Sequence, residues 1–312
     1  MLSRIAESLY WVGRYVERAE DTARILDVHL VHILVDAGVD EATACRALLN
    51  AMGAPAPPGA ADVGAVVHTL GWDPGNLCSI VGSLNAAREN ARGSREILSS
   101  EMWECLNATS HALGDRVREG AEGPHQFFSW VKERTAIVAG LADSTMTRDD
   151  AWQFLVLGRS LERVDMTARL LWACFGAPLG PADWVTTLRS CSAQEAFLRT
   201  YRRSPNAALV AEFLLLDRLF PRSALSALSL AEQCLAELDP RAGRAGVEDE
   251  ARRVLGRART ELEFARVSDL LGDLPSHLAS LQGACGRAGA AVAQRFFSRA
   301  AAEWNLETAV RS

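Results

Sequence analysis

The sequence predicts an all-α protein built as an array of long helices. Apolar residues recur with a period near 3.6 over nearly all of the 312 residues, which is typical of amphipathic helices. Prolines fall between these periodic segments or in their first turns, where a helix tolerates them. No stretch combines strict alternation of apolar and polar residues with a hairpin turn, so β-strands are not predicted.

The first predicted helix runs over residues 4–35, which is about nine turns. Apolar residues occupy one side of its helical wheel: Ile5, Val12, Tyr15, Val16, Ala19, Ala23, Leu26 and Leu30. Charged residues occupy the other side: Arg14, Glu17, Arg18, Asp21 and Arg24. A helix with one apolar and one charged side is expected to pack its apolar side on a core.

A second long helix is predicted from Ser79 to about Leu113, with the pair Ser99-Ser100 as a candidate bend or break. Between the two helices, residues 52–76 hold four prolines, which predicts a long loop carrying one short helix. The remaining predicted helices cover residues 40–53, 125–142, 149–174, 182–202, 206–217, 221–238, 247–271 and 274–302.

Composition excludes several classes of protein. With 33 basic and 39 acidic residues, the net charge is −6, and non-specific nucleic-acid binding needs a basic surface. Lys132 is the only lysine, so a Walker A phosphate loop is excluded. No apolar stretch resembles a signal peptide or approaches the ~20 residues of a membrane span. We therefore expect a cytoplasmic protein that binds neither nucleic acid nor membrane.

The same sequence offers little support for metal or cofactor chemistry. The seven cysteines are widely spread and form no C-x-x-C pair, so neither a zinc site nor a disulfide framework is predicted. His29 and His32 lie one helical turn apart, but a metal site needs more ligands than these two. No Ser/His/Asp constellation or nucleotide loop is recognisable. We expect no metal and no cofactor, and the catalytic residues, if any, are unknown.

A polar motif occurs twice. Residues 13–24 and 158–169 are identical at seven of twelve positions, at a constant offset of 145. Amphipathicity alone would repeat apolar positions, but it would not repeat the pattern G-R-x-x-E-R-x-x-x-T-A-R. This predicts a single domain over residues 1–312 made of two pseudo-symmetric repeats, about 1–145 and about 146–302. We expect the two motif helices to be neighbours related by an approximate two-fold axis.

The charged residues of the motif are the first candidate site. Spacings of three and four residues place each trio on one helix face, as Arg14, Glu17 and Arg18 and as Arg159, Glu162 and Arg163. Three interpretations are open. The residues could form solvated ion pairs, a buried lattice that sets how helices register, or a guanidinium cluster that binds a carboxylate or phosphate.

A second candidate cluster lies on the long middle helix. Arg88, Glu89 and Arg92 are close in sequence, and Arg88, Arg92 and Arg95 share one helix face. The corresponding stretch of the second repeat, residues 229–237, contains no arginine, so any site here is single. We expect Arg88 and Arg92 to face the same cavity as Glu17 and Arg18.

Five segments together resemble a known family. Residues 8–20, 87–92, 99–104, 213–217 and 221–223 are similar, in sequence and in order, to the motifs of the alpha-E family, an uncharacterised all-helical domain named for its Glu-Arg motif. The resemblance covers roughly residues 1–300, with the loop at 52–75 as a variable region. Its motif residues correspond here to Glu17 and Arg18 and to Glu162 and Arg163.

The resemblance implies partners. Members of the family are encoded beside, or fused to, a circularly permuted ATP-grasp ligase, and often lie near a transglutaminase-like peptidase. This implies a helical accessory subunit in ATP-dependent peptide synthesis or modification, which binds its partner or an anionic substrate through the Glu/Arg clusters. The alternatives are an enzyme that uses Glu17 or Glu162 as general base and a plain scaffold. A concave cleft beside these carboxylates would favour function, whereas internal pairing without a pocket would favour the scaffold.

Overall fold

The computed structural model describes residues 2–35, 40–54, 59, 61–120, 123–175, 181–240 and 246–297. Within these ranges the secondary structure is entirely helical and includes no β-strand. The predicted all-α class is therefore confirmed. No helix among the described residues is long and apolar enough to cross a membrane.

Fourteen α-helices are present in the described part of the chain, and two of them continue into a π-helical turn. Their bounds are α1 Ser3–Val35, α2 Glu41–Ala51, α3 Val63–Val66 with the π-turn Val67–Trp72, α4 Ile80–Gly93, α5 Ser100–Gly120, α6 Pro124–Thr145, α7 Asp150–Phe175, α8 Pro181–Ser190, α9 Gln194–Tyr201, α10 Ala207–Leu216, α11 Ala224–Leu238, α12 Glu250–Phe264, α13 Val267–Gly272, and α14 Leu274–Val292 with the π-turn Ala293–Phe297.

The two motif helices, α1 and α7, form the centre of the molecule. They pack on each other along their length, while α4, α6 and α8 cover α1, and α11 and α14 cover α7. Residues on several faces of both helices are therefore buried, including the motif carboxylates Glu17 and Glu162. The central position of α1 and α7 explains why charged motif residues lie inside the protein, although a surface helix would expose them to water.

The helix predicted from Ser79 to about Leu113 is divided into α4 and α5, and the division ends at the Ser99-Ser100 pair where a bend or break was expected. The Ser94 hydroxyl donates to the Asn90 carbonyl at 3.1 Å. The Ser99 hydroxyl then accepts from the Met102 amide at 3.2 Å, which starts the next helix. Such local side-chain bonds compete with the helical pattern.

Two other predicted helices are interrupted. The helix predicted at 182–202 is interrupted at Ser192, whose φ of 53° is left-handed. The helix predicted at 247–271 is interrupted at Ala265, which has an extended backbone. The predicted loop carries the expected short helix, at residues 63–72, which starts from a cap in which the Asp62 carboxylate accepts from the Ala65 amide at 2.7 Å. Of the helix predicted at 274–302, residues 298–302 lie outside the described ranges.

Candidate functional site

The crossing of α1 and α7 depends on two glycines. A Cβ atom on Gly13 would lie 2.0 Å from the Leu155 carbonyl oxygen, and one on Gly158 would lie 2.0 Å from the Tyr10 carbonyl oxygen. Each helix therefore presents a bare backbone to the other at the same point. The predicted proximity of the two motif helices is confirmed, and the glycines explain how the arginines that follow them reach across.

Glu162 of α7 is held by two arginines of α1. Arg14 donates from Nε at 2.6 Å, and Arg18 donates from Nε at 2.6 Å and from Nη2 at 3.0 Å. The Glu162 side chain is only 1% exposed. Hydrogen bonds to a carboxylate from guanidinium forks are among the strongest in proteins, so this contact ties α1 to α7.

Glu17 of α1 is held in turn by an arginine of α7 and by Arg222. Arg163 of α7 donates from Nε at 2.6 Å and from Nη2 at 2.9 Å, and Arg222 Nη1 lies 3.1 Å from Glu17. Arg222 also contacts Glu20 and donates to the Asp21 carboxylate at 2.6 Å. Three carboxylates of α1 thus converge on one guanidinium that is supplied from the loop before α11.

Arg18 and Arg163 also bind the loops that precede α4 and α11. Arg18 donates to the Leu77 carbonyl at 3.3 Å, and Arg163 donates to the Pro221 carbonyl at 3.2 Å. Shortly after each carbonyl, a serine caps the next helix: Ser79 accepts from the Gly82 amide, and Ser223 accepts from the Ser226 amide. The Glu-Arg motif therefore positions four helices.

Burial and charge act against each other on the carboxylates. Burial favours the neutral form of Glu17, but Arg163 and Arg222 outweigh it and hold its pKa at about 2. The pKa of Glu162 is lowered in the same way, because burial is outweighed by Arg14 and Arg18. Burial together with the nearby Glu17 and Glu20 raises the pKa of Asp21 to about 7.

The space beside Glu17 is small. A cavity of about 20 Å³ is lined by Val12, Gly13, Val16, Glu17, Glu20, Met102, Thr135, Val138, Ala139, Ala142, Leu155 and Arg159. This volume accommodates a single water molecule but no substrate. The Nε atom of Arg159 is buried and has no hydrogen-bond partner among the described residues, and its Nη2 lies 3.6 Å from Asp143. Arg159 is thus separate from the ion pairs of the other motif arginines.

The prediction that Arg88 and Arg92 face the same cavity as Glu17 is wrong, since neither lines that cavity. Both lie on the outer side of α4 and contact Glu89, with Arg92 at 3.3 Å and a side chain that is 64% exposed. Arg88 also donates to Asn107 of α5 at 3.2 Å. The apolar side of α4 packs inward, so these polar residues are left at the surface.

The histidine pair is structural. His32 Nε2 lies 3.0 Å from the Asp183 carboxylate. His29 is half-buried, and loss of hydration lowers its pKa to about 4. In the part of the chain that the structure describes, no group of three or more His, Cys, Asp or Glu side chains could hold a metal ion. Six of the seven cysteines are buried and reduced, as expected for small apolar side chains.

Sequence reasoning missed Arg222 as a member of the cluster. It is separated from Glu20 and Asp21 by about two hundred positions, so no local spacing connects them. The available signal was its place in the segment 221–223, one of the five segments that resemble the family.

Comparisons with known proteins agree with the resemblance. The model of the Alpha-E family, described as a predicted alpha-helical domain with a conserved ER motif, matches residues 1–297. Two uncharacterised proteins, one from Mycobacterium bovis and one from Mycobacterium tuberculosis, are each 28% identical to the chain over 311 residues. The match covers 89% of this chain and 35% of each relative, so the chain spans about a third of the length of these relatives. No solved structure matches.

Proposed function

The chain belongs to the Alpha-E family, and on that premise we propose that it is a helical accessory subunit of a circularly permuted ATP-grasp ligase. In this proposal it serves ATP-dependent peptide synthesis or modification, with a transglutaminase-like peptidase as a further partner. It provides a rigid surface for the ligase or its anionic substrate and performs no chemistry of its own. A cytoplasmic location, where ATP is available to the ligase, is part of this proposal.

One observation favours the scaffold interpretation for the Glu-Arg motif itself and, in the accessory role that we propose, leaves binding to the outer surface. Glu17 and Glu162 are each enclosed by two guanidiniums at the crossing of α1 and α7, with distances of 2.6–3.1 Å. The cavity that borders Glu17 among the described residues has a volume of about 20 Å³, which is too small for a substrate. The Glu-Arg motif is therefore best explained as a lattice that fixes helix register, with binding assigned to the outer surface.

The alternative, in which Glu17 or Glu162 is a general base, is disfavoured by the electrostatics. A general base works best with a pKa near the operating pH. The pKa of Glu17 is about 2, and that of Glu162 is also lowered. A carboxylate whose pKa is lowered and that is already bound by two arginines is a weak acceptor for a substrate proton.

The surface formed by Arg88, Glu89, Arg92, Arg95 and Trp103 is the proposed contact for the ligase or its substrate. The guanidinium carbons of Arg88 and Arg95 lie 5.7 and 5.6 Å from the Trp103 ring centre. Tryptophan and arginine are the residue types that most often dominate binding at interfaces. We name this group the Trp103 surface.

The duplication is also a proposal, and matched contacts support it. Arg18 binds Glu162 and Arg163 binds Glu17, so positions offset by 145 residues exchange roles. Gly13 and Gly158 likewise each contact the other helix's backbone. Two repeats, about 1–145 and about 146–302, packed around an approximate two-fold axis, account for this reciprocity.

The test is co-purification of the full chain with the ligase, using Arg92→Ala as the variant. Arg118→Ala on α5 is the matched control, because both arginines are well exposed and each pairs with an acidic residue three positions earlier. We expect Arg92→Ala to weaken the complex and Arg118→Ala to leave it intact. Absence of any complex with the unmodified chain, or ATP turnover by the chain alone, would refute the accessory role.

A further inference from the structure

The outer face of α12 carries an unusual combination of charge and exposed apolar surface. Its inner face buries Ala251, Val254, Leu255, Ala258 and Leu262. On the opposite face, Arg253, Arg257, Thr260 and Phe264 follow one another at spacings of four, three and four residues, which align them in one stripe. We name these four residues the α12 stripe.

A broad groove borders this stripe. It has a volume of about 800 Å³ and runs between α12, Glu232 of α11 and the segment 246–248. Four arginines line it, Arg252, Arg253, Arg257 and Arg259, against two glutamates, Glu232 and Glu248. The whole chain carries a net charge of −6, so this excess of positive charge is local.

The arginines of the groove are only partly neutralised. Arg259 is paired with Glu232 at 2.6 Å, and Arg253 lies 3.8 Å from Glu250. Arg257 forms no ion pair with any residue that the structure describes, whereas Arg252 Nε lies 3.9 Å from Glu232, the glutamate that Arg259 also contacts. The groove therefore offers donors to an anionic group that the chain itself does not supply.

The apolar end of the stripe points to a protein partner. Phe264 is 80% exposed, which leaves an aromatic ring in water one turn beyond Thr260. Val247, at the edge of the groove, is 43% exposed. An exposed aromatic side chain on the same helix face as the unpaired Arg257 is typical of an interface in which apolar contact supplies affinity and charge supplies specificity.

We infer that the α12 stripe and its groove bind an acidic segment of a partner protein that also carries apolar side chains. Sites for small molecules are concave and enclose most of the ligand's surface, whereas this groove is open, so a phosphate-bearing small molecule fits it less well. The inference does not rest on the proposed function. α12 packs on α11 and α14, whereas the Trp103 surface belongs to α4 and α5.

The experiment measures binding of a fluorescent peptide of repeated Glu-Glu-Leu to the full chain by anisotropy at low salt. We expect Arg253→Ala/Arg257→Ala to weaken binding about tenfold. The matched control is Arg116→Ala/Arg118→Ala on α5. Arg116 and Arg253 have nearly equal side-chain exposure, 47% and 46%, and each pairs with a glutamate three residues away. The control pair is expected to change affinity less than about twofold.

Two further arms separate the possible occupants. A peptide with Gln in place of Glu should not bind, and Phe264→Ser should weaken binding of the acidic peptide without loss of fold, because the ring is exposed. Equal weakening by the control pair would overturn the proposal, as would tripolyphosphate that binds where the peptide does not. Concentration-dependent self-association that is lost in Arg253→Ala/Arg257→Ala would assign the surface to a second copy of the chain instead.

Discussion

Replacement of Glu17 by Gln tests whether the motif carboxylates hold the fold together. The change keeps the size of the side chain and removes its charge. The amide nitrogen of Gln cannot accept hydrogen bonds, so at least one donor of Arg163 or Arg222, now 2.6–3.1 Å from the carboxylate, loses its partner. The Glu17 side chain is 3% exposed, and bulk water therefore does not replace the lost acceptor.

Two independent estimates of the stability that Glu17→Gln removes are similar. Depression of the Glu17 pKa from 4.5 to about 2 corresponds to about 3 kcal/mol of stability at neutral pH. Removal of one partner from a buried ion pair costs about 3–5 kcal/mol. We therefore expect the free energy of unfolding to fall by about 3 kcal/mol or more at pH 7.

The assay is urea denaturation followed by circular dichroism. Glu89→Gln is the control, because Glu89 also contacts two arginines but its side chain is 52% exposed, and we expect it to cost less than about 1 kcal/mol. A loss below about 1 kcal/mol for Glu17→Gln would refute the buried-lattice argument.

The lowered pKa of Glu17 also defines how stability changes with pH. Since the folded pKa is below the unfolded value, the contribution of Glu17 is present above pH 4.5 and is lost as the pH falls towards 2.

Three further substitutions test other parts of the structure. Gly13→Ala would place a Cβ 2.0 Å from a backbone oxygen and should cost about 3 kcal/mol, whereas Gly114→Ala, which meets nothing within 4 Å, should stabilise by about 0.5–1 kcal/mol; equal melting temperatures of the two variants would contradict this. The pKa of Asp21 is raised to about 7, so in the unmodified chain its contribution should fall as the pH rises from about 4 to 7; Asp21→Asn should remove that loss, and unfolding at pH 5 and pH 8 measures it. Ser223→Ala removes the cap on the Ser226 amide and should cost about 1–2 kcal/mol in urea denaturation; an unchanged midpoint would show that the cap is dispensable.

Patterns among residues close in sequence determined the fold class and several of the helices of this protein. The all-α class, the extent of α1 and the adjacency of α1 and α7 could all be predicted, because helix periodicity, capping and a repeated motif are written over a few neighbouring residues. The break between α4 and α5 was foreseen only as an option at Ser99-Ser100. Whether serine hydroxyls bend or end a helix depends on how the flanking segments pack.

The tertiary structure decided what the motif residues do. From their spacing, Glu17 and Glu162 were equally compatible with a solvated face, a buried lattice and a binding site. Three features of the tertiary structure favour the buried lattice. The carboxylates are buried between two helices, whose backbones approach closely at Gly13 and Gly158. Arg222, about two hundred residues away in sequence, also contacts Glu17. A carboxylate takes its pKa and its role from the charges and water around it, and these surroundings come together only when distant parts of the chain pack.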